Sequence, residues 1–162
     1  MWNQILSELN ANEVNLSKEA LQLIHEAKRV FTFGAGRSGL ALKAFAMRLS
    51  QLGLTSFVVG ETTTPAFKAG DLLIAASASG TTSQVVNGAK IAKENGATKV
   101  LLFSTSDENP LAQLADEVLI LSSKGKYATE SLATKQPMGS LFEQKVWLLG
   151  DAIRCNTWLI TR

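Results

Sequence analysis

Val30-Phe31-Thr32-Phe33-Gly34-Ala35-Gly36-Arg37-Ser38-Gly39 is the stretch that decides the fold. A short run of strand character stops at Gly34, and residues 34–39 spell G-x-G-x-x-G before a helix-period segment, 38–52. Working outward, four more apolar runs appear: Ser56 to Val59, Leu72 to Ala76, Val100 to Phe103 and Val118 to Leu121. Each is short and almost wholly apolar, as strands covered on both faces are. Helical stretches are expected at 83–95 and 110–115, with a long one at 140–160. Two amphipathic helices, 1–9 and 17–28, precede the first strand; Ser17 is the expected cap of the second, with Leu21, Ile24 and Ala27 at core spacing. Gly53 and Gly96 stand where helices should stop. This alternation gives right-handed βαβ units: an α/β, three-layer, doubly wound sheet of five parallel strands with helices on both faces. No linker, repeat or low-complexity segment divides the chain, so 1–162 reads as one domain. Residues 122–139 are polar and poor in pattern, a surface loop or an active-site lid.

Bulk properties narrow the function. The chain has 162 residues, 46% hydrophobic and 19% charged, enough for one core without disulfides or metal. A net charge of +2 is too small to imply nucleic acid or a membrane surface, though it suits a site that receives an anion. Lys124, Lys126 and Lys135 read as a solvated loop. The single cysteine, Cys155, has no internal partner, which fits a reducing compartment. Met1 to Ile5 lack the basic-then-apolar pattern of a secretory signal, and no apolar run reaches the roughly 20 residues of a membrane span. A soluble cytoplasmic protein is expected.

In an open parallel sheet, ligands sit beyond the carboxyl ends of the strands. Those ends carry 34–39, then Gly60-Glu61-Thr62-Thr63-Thr64-Pro65, Ser77-Ala78-Ser79-Gly80-Thr81-Thr82-Ser83, and Ser104-Thr105-Ser106. In 34–39 the glycines let the backbone approach a phosphate, and the helix start supplies free N–H donors. One reading is a dinucleotide site, with Glu61 on the ribose hydroxyls. Another is a sugar or monophosphate site, and a third is a tight turn without a ligand. The chain has no room for the separate substrate domain that most dehydrogenases carry. Five of the seven residues in 77–83 carry hydroxyls, more than helix capping by Ser79 or Thr82 needs. They form a neutral cradle suited to a monophosphate ester. Ser38 is expected to face the same pocket, and Arg37 is a candidate partner for the ester.

Gln136-Pro137-Met138-Gly139-Ser140-Leu141-Phe142-Glu143-Gln144 places a carboxylate one turn inside the last helix. Catalysis and complementation of the helix dipole both account for Glu143 there. His25 is the only histidine and lies far in sequence from every strand-end loop. With one His, one Cys and no spaced carboxylate pair, a metal site is not expected. Trp2, Trp147 and Trp158 lie on the terminal helices, as core or as an oligomer face.

Together the segments 34–39, 59–65, 77–82 and 136–144 stand in the order found in 6-phospho-3-hexuloisomerases, which the chain resembles over nearly its whole length. That family belongs to the sugar isomerase (SIS) group; the first and third motifs indicate the group, the second and fourth the hexuloisomerases. The resemblance implies a five-stranded parallel sheet of flavodoxin-type order and a homotetramer. It further implies cofactor-free interconversion of D-arabino-hex-3-ulose 6-phosphate and D-fructose 6-phosphate, in formaldehyde fixation (the ribulose monophosphate pathway) or pentose synthesis. Carried over by position, Ser38, Ser77, Ser79 and Thr82 hold the phosphate, with Gly36, Arg37, Thr81 and Glu61 beside them, and Glu143 is the acid/base. Enediolate stabilisation would fall to Arg37 and the loop amides, with Arg48 a weaker candidate. Alternatives are a phosphosugar-binding SIS module without catalysis and a nucleotide-binding domain. Three departures stand out: Ala78 replaces a usual glycine, Thr81 replaces a usual glutamate, and the basic tail with a histidine beyond the last helix is missing.

Overall fold

The apolar runs pair into one sheet because each alternates its side chains between two helical layers. A computed structural model describes residues 1–11, 14–94, 98–122 and 134–160, with side chains described as far as Cys155 in the last helix. Its strands are β1 (Arg29–Gly34), β2 (Ser56–Val58), β3 (Asp71–Ala76), β4 (Lys99–Ser104) and β5 (Glu117–Ile120). They are all parallel, in the order β2-β1-β3-β4-β5. The helices are α1 (Trp2–Asn10), α2 (Lys18–Glu26), α3 (Gly36–Gln51), α4 (Ser83–Glu94) and α5 (Ser140–Ile160). Val30, Ile74, Leu101 and Phe103 point to one face, where Ile24 of α2, Phe45 of α3 and Phe142 of α5 cover them. Phe31, Leu73, Ala75 and Leu102 point to the other, against Val85 and Ala89 of α4. The period-2 alternation thus builds two cores, and α1 packs outside, against α5.

Ser17 caps α2 as expected: its hydroxyl accepts from Ala20 N at 3.1 Å and donates to Glu117 of β5 at 2.7 Å. Gly53 ends α3 with φ +89°. Several boundaries differ from the sequence reading. The expected helix at 110–115 is only a 3₁₀ turn, Ala112–Leu114. The Asn109 side chain accepts from Ala112 N at 2.9 Å, and Asp116 N already bonds to Val100 O of β4 at 2.8 Å. That leaves too little chain to nucleate an α-helix. α2 stops at Glu26 because Lys28 N is taken by Gly70 O at 2.9 Å. α3 begins at Gly36, two residues early, and β2 ends at Val58. The stop expected at Gly96, most of the 122–139 segment, Lys124, Lys126 and the Trp158 side chain lie outside the described residues.

The strand order places a topological switch between β1 and β3. From β1 the chain turns to β2 on one side; from β3 it turns to β4 on the other. Register partners Gly34 and Ala76 end the two strands side by side. The loops 34–39 and 77–83 therefore leave the sheet from adjacent points, where an open α/β sheet forms its crevice.

Candidate active site

The first wall of the crevice is the turn from β1 into α3. A Cβ on Gly39 would overlap the carbonyl oxygen of Gly34, and one on Gly34 would lie 2.9 Å from Gly39 N. Only glycines let the first turn of α3 sit directly on the strand end, with its unpaired N–H groups facing outward. Arg37 and half-buried Ser38 occupy that turn, and Ser38 Oγ forms no hydrogen bond among the described residues.

The second wall is the hydroxyl loop. Buried Ser77 Oγ lies 3.1 Å from Thr82 Oγ1 and accepts from Gly80 N at 3.2 Å. Ser79 Oγ, nearer solvent, accepts from Thr81 N at 3.3 Å and from Thr81 Oγ1 at 2.9 Å. These groups satisfy one another and are free to turn toward an anion. Ala78 O accepts from Thr105 Oγ1 at 2.7 Å, so the loop after β4 braces the cradle. Beneath Gly80, whose φ is +63°, lies the buried Asn109 amide, which donates to Ser106 O at 2.7 Å and to Ser104 Oγ at 3.2 Å. Sequence reasoning passed over Asn109, although an Asn-Pro pair at the end of a polar loop signals side-chain capping. Met138 is the only non-glycine with positive φ among the described residues, so Ala78 fits its place without backbone strain.

Glu143 arrives from the opposite layer. Pro137–Gly139 forms a 3₁₀ turn, Met138 and Gly139 adopt φ of +60° and +78°, and α5 starts at Ser140. One turn later the Glu143 carboxylate accepts from Arg37 Nε. Its side chain is 17% exposed and that of Arg37 67%, so the carboxylate is the inner member of the pair. The structure thus brings Glu143 to the first loop, and the strand register sets the hydroxyl loop beside it. No hydrogen bond joins Glu143 to Ser77, Ser79, Thr81 or Thr82 among the described residues.

The SIS domain family matches residues 23–145, from α2 through the start of α5. The chain belongs to that family. A "3-hexulose-6-phosphate isomerase" of Mycobacterium gastri is 50% identical over 130 residues, 80% of this chain. The chain spans 65% of that relative's length. One of the same name from Bacillus subtilis (strain 168) is 40% identical over 155 residues, 93% of this chain and 83% of the relative. A crystal structure of a Methanococcus jannaschii protein, inferred to be a 3-hexulose-6-phosphate isomerase, superposes with a TM-score of 0.74. It is 33% identical, with 96% of this chain and 85% of that one covered. The resemblance carried by the four motifs is borne out by these relatives.

The remaining residues of this SIS domain sort as follows. Glu61 forms an exposed ion pair with Lys43 of α3 at 2.6 Å. Arg48 is a correction: its Nη1 donates to Gln51 at 2.7 Å in the last turn of α3. That puts it about 18 Å along the helix from Gly36, away from the strand-end crevice. His25 is exposed on α2. Among the described residues no three His, Cys, Asp or Glu side chains gather as metal ligands, and no helix is long and apolar enough to cross a membrane. A groove of about 470 Å³ runs between α1, α3 and α5, lined by Trp2, Leu6, Leu40 and Trp147 together with Arg37 and Glu143. Its lining is too apolar for a phosphate ester, so the strand-end crevice is the better ligand site.

Two further groups escaped the sequence reading. Lys145 is buried, donates Nζ to Ser122 O, and is held below its ordinary pKa by desolvation. Glu8 of α1 gathers the segment 134–136, which leads into the Pro137 turn. The Thr134 hydroxyl first, then Gln136 and the Lys135 amide, hold its pKa down at about 2. Neither side chain sits in a recognisable motif; each gains its role from chain distant in sequence.

Proposed function

We propose that this chain interconverts D-arabino-hex-3-ulose 6-phosphate and D-fructose 6-phosphate without a cofactor. The observation that carries the reading is the Glu143 carboxylate, held by Arg37 at the mouth of the β1–α3 turn. The names of the Mycobacterium gastri and Bacillus subtilis relatives supply the substrate class. In this reading the ester phosphate turns the hydroxyls of Ser38, Ser77, Ser79, Thr81 and Thr82 toward itself. The N-termini of α3 and α4, with the Gly36 turn, add backbone donors and favourable dipoles. Glu61 stays at the margin, paired with Lys43.

Moving a carbonyl from C3 to C2 requires loss of the C2 proton and gain of one at C3, while the hydroxyl proton on O2 passes to O3. One carboxylate within reach of both carbons can do this: Glu143 takes the C2 proton, a cis-enediolate forms, and the carboxylic acid, after trading part of its proton with solvent, protonates C3. Arg37 leaves Glu143 to face the developing negative charge, which frees the carboxylate oxygen to approach the C2 proton. A hex-3-ulose phosphorylated at O6 cannot close a five-membered ring, so no ring-opening histidine is needed. The reading takes 1–162 as one cytoplasmic SIS-type domain, assembled as a homotetramer through exposed apolar residues such as Trp2, Leu40 and Trp147. It places the reaction in formaldehyde fixation or pentose synthesis.

The test is fructose 6-phosphate in heavy water, with exchange at C3 followed by NMR. Wild type should exchange; Glu143→Gln should not, while still binding the phosphosugar. Retained exchange in that variant sinks the assignment of the base. Binding without exchange in wild type leaves a phosphosugar-binding module, and stabilisation by NAD instead would favour a nucleotide site. Light scattering reads the assembly state.

A further inference from the structure

Among the described residues Glu8 is the side chain outside the crevice with the most hydrogen bonds. Its two carboxylate oxygens accept from Gln4 Nε2 at 3.1 Å, Thr134 Oγ1 at 2.6 Å, Lys135 N at 3.0 Å and Gln136 Nε2 at 3.0 Å. Three of these donors lie on the three residues before Pro137. The linkage does not end there. Gln136 Oε1 accepts from Gln144 Nε2 at 2.8 Å, so the path runs from α1 into the first turn of α5, to the neighbour of Glu143. Between the two ends lies the turn with Met138 at φ +60° and Gly139 at φ +78°. Met138 is 64% exposed, so burial of its side chain does little to hold that conformation. A non-glycine residue in the left-handed region persists only when its surroundings over-determine it. Here the restraint on the upstream side is Glu8, and on the downstream side Ser140 Oγ bonded to Pro137 O at 2.7 Å.

We propose that Glu8 is a positioning residue for the isomerisation. By clamping 134–136 it fixes where α5 begins, and so where the Glu143 carboxylate meets the substrate. This rests on Glu143 being the base. The carboxylate stays ionised far below neutral pH, so the clamp is constant over the working range. Were it merely a staple for α1, any loosening of α1 would have the same effect.

The experiment compares Glu8→Gln with Ser7→Gly, which loosens α1 at an exposed position outside the groove that Glu143 lines. Glu8→Gln should lower kcat about 10-fold with KM within about twofold, the outcome of a misplaced base with intact phosphate binding. Ser7→Gly should keep kcat within about twofold of wild type. Glu8→Asp, which retains the charge, should recover part of the loss. Gln136→Met, which cuts the path between Glu8 and Gln144, should reproduce it and serves if Glu8→Gln does not fold. Amide hydrogen exchange should quicken at 135–144 in Glu8→Gln and stay unchanged at 83–88. Unchanged kcat in Glu8→Gln and Gln136→Met, or equal losses in Glu8→Gln and Ser7→Gly, overturns the proposal. If Glu143→Gln proves active, the base assignment fails instead, and the exchange pattern still decides whether Glu8 clamps the turn.

Discussion

Gly80→Ala gives the sharpest test of how the hydroxyl cradle is built. At φ +63° an alanine carries a backbone cost of about 1–2 kcal/mol. Its Cβ would also fall inside the Asn109 carboxamide. That group makes three hydrogen bonds, to Ser104 Oγ, Ser106 O and Ala112 N. Each is worth about 1 kcal/mol, so displacing the amide costs roughly 2–3 kcal/mol. The sum is about 3–5 kcal/mol. In a chain of this size it lowers Tm by about 10–15 °C. Urea or thermal unfolding of Gly80→Ala, Asn109→Ala and the double variant separates the terms. Asn109→Ala already forfeits the hydrogen bonds and opens space for the methyl group. The double variant should therefore cost only the backbone strain beyond Asn109→Ala, a coupling of about 2–3 kcal/mol. Additivity within about 0.5 kcal/mol would refute the packing argument. Phosphosugar affinity should fall in Gly80→Ala, because Gly80 N also bonds to Ser77 Oγ.

Three other outcomes are expected. Ser79→Ala should raise KM more than it lowers kcat, since in the proposed cradle it removes a ground-state phosphate donor; unchanged KM in steady-state kinetics counts against the cradle. Asp71→Ala should lower stability by about 3 kcal/mol in denaturant titration. Buried Asp71 receives Arg29 Nε at 2.9 Å and Lys68 N at 2.6 Å at the end of the sheet remote from the crevice, so kcat should hold in the cold. Lys145→Met should match or exceed wild-type stability at pH 7, because it removes a charge that burial disfavours. The sign follows from linkage: the folded pKa lies below the unfolded one, so the penalty is full below the folded value. It fades as pH rises toward about 10.4. A gain from Lys145→Met that persists at pH 11 contradicts that account.

The sheet was legible because a buried parallel strand needs little more than a short apolar run, and each run here ends on glycine, serine or a turn. Ser17 announced its cap through side-chain chemistry alone. The 110–115 helix misled because Leu111 and Leu114 are spaced as on a helix, whereas Asn109 and Asp116 divert the backbone at both ends. Glu143 was visible as one turn into a helix, yet its pairing with Arg37 depends on how α3 packs on α5, which no local pattern encodes. The same holds for Glu61 and Lys43, and for Glu8, whose partners at 134–136 lie more than a hundred residues away in the chain.

The absence of side chains at Gly34 and Gly39 makes one border of the crevice immovable. Strand and helix there touch backbone to backbone, so neither can slide without breaking the sheet. With the ester seated there as proposed, a redesign for a longer or shorter sugar leaves that border alone and reshapes the α5 border. Directed evolution of this scaffold should accumulate its useful changes around residues 134–144 and almost none at 34–39.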